Sequence, residues 1–260
     1  MDNSTDKTKK FLMELFFPAF CLGCQKEGTF LCEDCKSTLE ISEYDYCLCN
    51  KKPMLIPPSV RRSLGGGDQA RSGKCPRCRD KKLSGLYFAL PYKERSLTRK
   101  LIHQFKYEPY TKNLAKTLAS LIIEHFIITQ KNTEDIWTNS VLIPVPLFYK
   151  KLKERGYNQS EELAKELSKV LKIPVVSDVL IKVKKTESQM KLKKEEREKN
   201  LLDAFGVRPG SDPGLTPFSG KKVFLVDDVY TTGSTMEECA RVLRGAGTKQ
   251  VWGIVIAREE

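Results

Sequence analysis

Lys222-Val223-Phe224-Leu225-Val226-Asp227-Asp228-Val229-Tyr230-Thr231-Thr232-Gly233-Ser234-Thr235 is the stretch that decides the fold. Four consecutive apolar residues read as a strand buried on both faces, as in a parallel sheet. Two carboxylates stand at the strand's end, and a loop rich in hydroxyls and glycine follows. Met236 to Arg244 then carries the apolar spacing of a helix. Such a loop can turn successive backbone N–H groups inward as an anion nest. The helix start adds unpaired donors and a positive dipole end, and the Thr and Ser hydroxyls add further donors. The predicted guest is a phosphate, with a polyhydroxylated group held by Asp227 and Asp228.

Working outward, strands and helices alternate. Gly85 to Leu90 reads as a strand, Ser96 to Phe105 as an amphipathic helix and Asn113 to Ile128 as a strongly apolar helix. His103 and His125 fall within these helices without a ligand partner at useful spacing and read as packing or surface residues. Ser140 to Pro146 reads as a strand ended by Pro144 and Pro146. A helix is expected from Ser160 to Leu171, a further strand from Val175 to Val183, a loop from Gly206 to Gly220 and a last strand from Gln250 to Ala257. This alternation predicts an α/β fold, a parallel sheet flanked by helices with right-handed crossovers. Ligands in such sheets bind beyond the carboxyl ends of the strands, where the acid pair, the proline turn and the basic residues after it all fall.

The chain has 260 residues, enough for one sizeable core and a small appendage. It carries 40% hydrophobic and 30% charged residues, a soluble globular composition. No apolar run reaches the ~20 residues of a membrane span. Phe11 to Leu22 is short and interrupted by Glu14 and Pro18, and Cys21 follows bulky Phe20 rather than a small-residue processing site. A cytoplasmic protein is expected. Forty-five basic against 33 acidic residues leave a net charge of +12, which suits polyanionic partners. Lys182 to Lys199 holds eight basic residues against four acidic and reads as a cationic flap over an anionic substrate.

Eight of the nine cysteines lie between Cys21 and Cys78, as Cys21/Cys24, Cys32/Cys35, Cys47/Cys49 and Cys75/Cys78. Pairs at this spacing let two thiolates of one tight turn share a tetrahedral metal, so structural Zn²⁺, one or two ions, is expected. The first four cysteines on one ion and the last four on another is the simplest arrangement; interleaved pairs are the alternative. Cys47 and Cys49 are one residue closer than the other pairs, and a Pro-, Gly- and Arg-rich stretch separates Cys49 from Cys75. Residues 1–82 are expected to form this small metal domain and 83–260 the α/β domain.

The stretch quoted above resembles the phosphoribosyl pyrophosphate (PRPP) motif of type I phosphoribosyltransferases. That resemblance implies that Asp227 and Asp228 hold the ribose hydroxyls and that Thr231, Thr232, Gly233, Ser234 and Thr235 hold the 5′-phosphate. Mg²⁺ would accompany PRPP. Backbone groups at the turn near Val145 would meet pyrophosphate, with Arg155 and the flap lysines Lys184 and Lys185 and Arg197 neutralising it. Purine-salvage relatives place a carboxylate at the first loop position. Thr231 stands there in this chain, a poor general base at neutral pH.

The resemblance extends over nearly the whole chain. Cysteine pairs precede Pro144-Val145-Pro146-Leu147, then Arg155-Gly156-Tyr157-Asn158-Gln159, Thr186-x-x-Gln189, Arg197-x-x-Asn200 and Ala204-Phe205. In this order they resemble the ComF family, phosphoribosyltransferase-like proteins with an N-terminal double zinc ribbon associated with natural competence. The family often has arginine where this chain has Lys184 or Lys185. The resemblance implies PRPP binding, a phosphoribosyltransferase reaction and a place in DNA uptake. The alternative it leaves is a non-catalytic adaptor, PRPP-responsive or binding single-stranded DNA, that interacts with competence proteins such as the uptake helicase.

Overall fold

A computed structural model describes residues 18–44, 47–49, 74–107, 111–131, 134–184, 201–208 and 217–259. Short helical turns at Glu33–Lys36, Pro76–Cys78 and Glu134–Trp137 aside, its elements in chain order are β1 (Gly85–Tyr92), α1 (Leu97–Lys106), α2 (Leu114–Ile128), β2 (Ser140–Pro144), α3 (Tyr149–Arg155), α4 (Gln159–Leu171), β3 (Leu180–Lys182), β4 (Phe205–Val207), β5 (Lys222–Tyr230), α5 (Ser234–Gly245) and β6 (Gln250–Glu259). Four strands form one sheet in the order β1-β6-β5-β2, and every pair in it is parallel. The parallel sheet flanked by helices is therefore the one expected of a type I phosphoribosyltransferase.

Strand alternation divides the core into two layers. Tyr87, Ala89, Leu142, Phe224, Val226, Ile254 and Ile256 point to one face, where α1, α2 and α4 pack. Val141, Ile143, Val223, Leu225, Val251 and Val255 point to the other, which takes Met236, Cys239, Ala240 and Leu243 of α5. Successive side chains of a strand alternate, so a strand covered on both sides needs apolar residues throughout, as β5 has. The cysteine-bearing segments also divide between the layers. Leu31 belongs to the first; Cys47, Leu48, Cys75, Cys78 and Leu83 belong to the second.

Two expectations change. The strand expected over Val175–Val183 does not form as one piece. Val175 makes a single parallel bridge to Leu142, and Leu180–Lys182 pairs antiparallel with Phe205–Val207, inside a region expected to be loop after Gly206. Bends at Asp178 and Val179 separate the two pieces, and each then finds a different edge to satisfy its backbone groups. β5 also runs past the acids to Tyr230, because β6 continues beside it with Asp227 opposite Val255 and Tyr230 opposite Arg258. Its pairing to β2 stops at Val226, opposite Pro144. Asp227 and Asp228 thus stand where β5 has lost its β2 neighbour.

Candidate functional site

The residues after β2 surround the acid pair. Arg155 ends α3, and Gly156 caps it in the left-handed region at φ 79°, where glycine has no steric penalty. The chain then reverses into α4. Asn158 is the N-cap of α4: its side-chain oxygen accepts from the Ser160 N–H at 3.1 Å, while its Nδ2 donates to the Val145 carbonyl at 3.0 Å. The Tyr157 hydroxyl donates to the carbonyl of Phe105 at 2.5 Å. This short run therefore ties the proline turn, α1 and α4 together.

The acid pair meets the start of α4. Gln159 donates to Asp228 Oδ2 at 3.0 Å and accepts from Arg155 Nη1 through its other side-chain atom. Ser160 donates to Asp227 Oδ1 at 3.0 Å, and the Asp228 N–H donates to the same oxygen at 2.9 Å. Lys106, the last residue of α1, places Nζ 2.8 Å from Asp228 Oδ1. Asp228 is only 3% exposed, with both oxygens engaged; Asp227 is half-buried. Burial and the neighbouring Asp228 charge raise the Asp227 carboxyl to about 7, against the opposing pull of Lys106. Burial works to lower the Lys106 ammonium, but Asp228, with Asp227 behind it, outweighs burial and raises it.

Cations crowd this end of the sheet. Desolvation, then repulsion from Arg155 and Lys106, hold the Lys151 ammonium below the usual lysine range. Desolvation lowers Lys182 as well, with Lys151 contributing repulsion. Burial and neighbouring cations thus disfavour the charged forms of Lys151 and Lys182, and an anion placed beside them would be stabilised.

Gly233 sets the turn between β5 and α5. It is the N-cap of α5 at φ 80°, and a Cβ there would lie 2.2 Å from the Tyr230 hydroxyl oxygen. Both the backbone angle and the close-packed ring require glycine. The hydroxyls of Thr232 and Ser234 lie 2.9 Å apart, and the Gly233 carbonyl accepts from the Glu237 N–H at 2.9 Å. Thr231, Thr232 and Thr235 are half-buried, and Ser234 is buried. Val145 is buried, its N–H given to the Val226 carbonyl at 2.9 Å. Arg155 is buried too, its guanidinium 5.9 Å from the Tyr107 ring centre. Lys184 is exposed and reaches the Leu202 carbonyl at 3.4 Å, away from the acid pair. Lys185 and Arg197, with most of the expected flap, lie outside the described residues.

Lys106 carries no motif signal; only the folding of α1 over the sheet brings it to Asp228. Gln159 and Ser160 lie in or beside a recognisable run, but nothing in their spacing predicts that they bond the acid pair.

The eight clustered cysteines form two tetrads, Cys21/Cys24/Cys32/Cys35 and Cys47/Cys49/Cys75/Cys78, with all sulfurs of each within 4.8 Å of one another. The structure takes the consecutive arrangement, not the interleaved one. None of these cysteines is in a disulfide. A tetrahedral Zn–S site at about 2.3 Å sets sulfurs about 3.8 Å apart. The contacts Cys21–Cys32, Cys24–Cys32, Cys49–Cys75 and Cys75–Cys78 are 3.7, 3.6, 3.4 and 3.7 Å. Without a cation the thiols cannot all ionise. Burial opposes ionisation of Cys21, but the Cys32, Cys24 and Gly23 amides bring it down to about 6, while hydrogen bonds to Cys21 and Cys24 push Cys35 up to about 12. Cys75 and Cys49 divide in the same way, at about 6 and about 12. Four sulfur donors and no open position suit a structural Zn²⁺ in each tetrad. Among the described residues no helix is long and apolar enough to cross a membrane.

Comparison with known proteins places these features among relatives. A phosphoribosyl transferase domain profile matches residues 157–259. Competence protein F of Haemophilus influenzae is 36% identical over 159 residues, 60% of this chain and 67% of that protein. DNA utilization protein YhgH of Shigella flexneri is 33% identical over 154 residues, 58% of this chain and 64% of the relative. Competence protein ComFC of Bacillus subtilis is 35% identical over 109 residues, 41% of this chain and 39% of that protein. The chain thus spans about two thirds of the length of the first two relatives and less of the third.

Proposed function

The chain belongs to the ComF family, and on that premise we propose that it binds PRPP and transfers its phosphoribosyl group in the service of DNA uptake. The observation that carries this reading is the meeting of an acid pair, a glycine-capped loop at a helix start and the lysines Lys106, Lys151 and Lys182 at one end of a parallel sheet.

In this reading the loop from Thr231 to Thr235 takes the 5′-phosphate on the N–H groups at the start of α5. Asp227 accepts a ribose hydroxyl. Asp228 accepts another once Lys106 turns from it to the incoming phosphates, so one cation exchanges a carboxylate for a better-charged partner. Lys151 and Lys182 face the diphosphate with it, and Lys184, Lys185 and Arg197 would complete that shell. Arg155 acts through Gln159, holding the amide that aligns Asp228. The acid pair provides hard oxygen donors suited to Mg²⁺, which would screen the diphosphate and draw charge from the leaving group. The acceptor attacks the anomeric carbon, the bond to the diphosphate oxygen breaks, and its electron pair leaves with pyrophosphate. Carboxylates beside the ribosyl centre favour the positive charge that develops there.

The test is a melting-temperature shift with PRPP and Mg²⁺, followed by a pyrophosphate-release screen over bases and single strands. A shift in the wild type that disappears in Asp227→Ala/Asp228→Ala, with zinc content unchanged, supports the reading; an equal shift in the double variant removes it.

A second reading is a single-stranded-DNA adaptor that retains PRPP as a signal. What favours it is a basic cavity of about 470 Å³ lined by Arg95, Arg99, Lys100 and His103 beside Leu22 and Gln25. Arg99 and His103 lie four residues apart on α1, and Tyr107, its C-cap, is 40% exposed with its ring 4.7 Å from that of His103. Cations interleaved with rings suit a phosphate backbone and unstacked bases. Labelled single strands titrated at rising salt test it: Arg99→Glu/Lys100→Glu should weaken binding and flatten its salt dependence, and equal binding would exclude this surface.

A further inference from the structure

The two cysteine tetrads sit differently with respect to the phosphate loop. Around the second, three successive carbonyls, of Cys47, Leu48 and Cys49, all turn toward the ends of β5 and β6. Arg258 donates from Nη1 to the Cys47 carbonyl at 2.7 Å and from Nη2 to that of Cys49, and the Tyr230 hydroxyl donates to the Leu48 carbonyl at 3.3 Å. Arg258 and Tyr230 are register partners on neighbouring strands. Both are 1% exposed, and the guanidinium lies 5.7 Å from the Tyr230 ring centre and 5.5 Å from that of Phe88. The Tyr230 ring is in turn the surface against which Gly233 folds, too close for any Cβ.

The other arm of the same tetrad holds the helix that follows the loop. Just past Cys78, Lys81 Nζ lies 3.2 Å from the Tyr230 hydroxyl. The Lys82 N–H donates to Glu237 in the first turn of α5 at 2.6 Å, and its carbonyl accepts from Arg244 at 2.6 Å. Arg244 also donates to Ser84 at 3.1 Å. Both arms of the tetrad thus grip the strand end, the loop and the helix that make the phosphate cradle. The first tetrad makes none of these contacts among the described residues: it lies toward α1, where Gly23 packs against Cys35 and Leu97.

We propose that the Cys47/Cys49/Cys75/Cys78 centre is the rear wall of the phosphate loop: zinc bound there fixes the carbonyls that orient Arg258 and Tyr230, and these positioning residues hold Gly233 in its anion-binding turn. A short peptide such as Cys47-Leu48-Cys49 has no helix or strand of its own to fix those carbonyls. Closing both arms on one ion supplies that constraint, because metal binding orders the ligands that carry it. The first tetrad stabilises the fold without this link. Loss of zinc from one centre therefore loosens anion binding, while loss from the other does not.

Hydrogen exchange of the Thr232–Thr235 amides in the full chain tests this with no ligand present, so its outcome is independent of whether PRPP is the guest, although the functional consequence rests on that reading. Cys49→Ser should lower bound zinc by one equivalent and speed exchange of these amides about tenfold or more, while Cys24→Ser lowers zinc equally and leaves them within about twofold. Equal exchange in both variants, whether fast or slow, overturns the proposal. Should Cys49→Ser not fold, Tyr230→Phe and Arg258→Lys keep all eight cysteines. Each should release zinc from one of the two centres several-fold faster to a chelating dye and speed exchange at the loop. Wild-type release and exchange in both would overturn it equally. A PRPP-induced shift missing in the wild type, by contrast, counts against the ligand and not against the coupling.

Discussion

Lys106 Nζ lies 2.8 Å from Asp228 Oδ1, and the carboxylate side chain is 5% exposed. An ammonium from the end of α1 therefore neutralises an acid at the end of β5. Removing one partner of a buried pair costs about 3–5 kcal/mol. The Lys106 side chain keeps 24% exposure, so Lys106→Met should cost about 2 kcal/mol. Asp228→Asn added to it should recover most of that loss, because the uncompensated charge disappears. Urea melts of the single and double variants form the cycle that measures the coupling; additive losses would show the pair to be uncoupled.

Asp227 gives a pH dependence with a definite sign. Its carboxyl is raised from 3.8 to about 7 in the folded chain, by burial and by Asp228. The folded state then binds this proton more tightly than the unfolded chain does. The resulting stability is fully present below pH 3.8 and is lost as the pH climbs to about 7. Asp227→Asn should thus melt higher than wild type at pH 8, by about 1–2 kcal/mol once partial solvation is discounted. At pH 4 the two should nearly coincide, and a difference independent of pH would contradict the assignment. If ribose hydroxyls donate to this group, PRPP affinity should rise as the pH passes through about 7.

Gly233→Ala tests the loop. The left-handed backbone angle disfavours a Cβ, and the Tyr230 ring occupies the space it would take. The expected cost is about 2–4 kcal/mol, read by thermal melting, with loss of the PRPP shift. A variant as stable as wild type would mean that the ring moves freely, and the rear-wall proposal would fall with it.

Asn158→Ala removes the cap of α4 and the bond to the Val145 carbonyl together. The expected loss is about 1–2 kcal/mol. Asn158→Asp should keep the cap and lose only the donor to Val145, so it should fall between the two in a denaturant titration.

Metal analysis of the purified chain should give two zinc equivalents. Cys21→Ser and Cys75→Ser should each remove one, independently of the other, because their tetrads share no ligand. Cys239→Ala should remove none, since this buried cysteine of α5 belongs to neither tetrad. A single equivalent in the wild type would leave one tetrad without a metal.

The parallel sheet was readable because a strand covered on both faces has to be apolar throughout, and Val223 to Val226 is followed at once by loop and helix signals. Tight cysteine pairs likewise announced the two tetrads, since two thiolates of one turn can reach a single ion. The split of the Val175–Val183 segment was not readable: short strands take whichever edge is open, and that is a property of the finished sheet. Lys106 was invisible for a related reason. Nothing within α1 distinguishes it from Lys100, and only packing of the helix against β1 brings it to Asp228.

The amino-acid sequence by itself determined the α/β class, the loop capped by Gly233 and the metal-ligand spacing of the cysteine pairs, because each rests on residues close together in the chain, where local backbone geometry decides. The tertiary structure alone decided which cysteines share a tetrad, which cation faces the acid pair and how Arg258 and Tyr230 tie the second tetrad to the loop after β5. Those partners are up to 211 residues apart, and a pairing at that distance follows from strand order and burial, which no local pattern encodes.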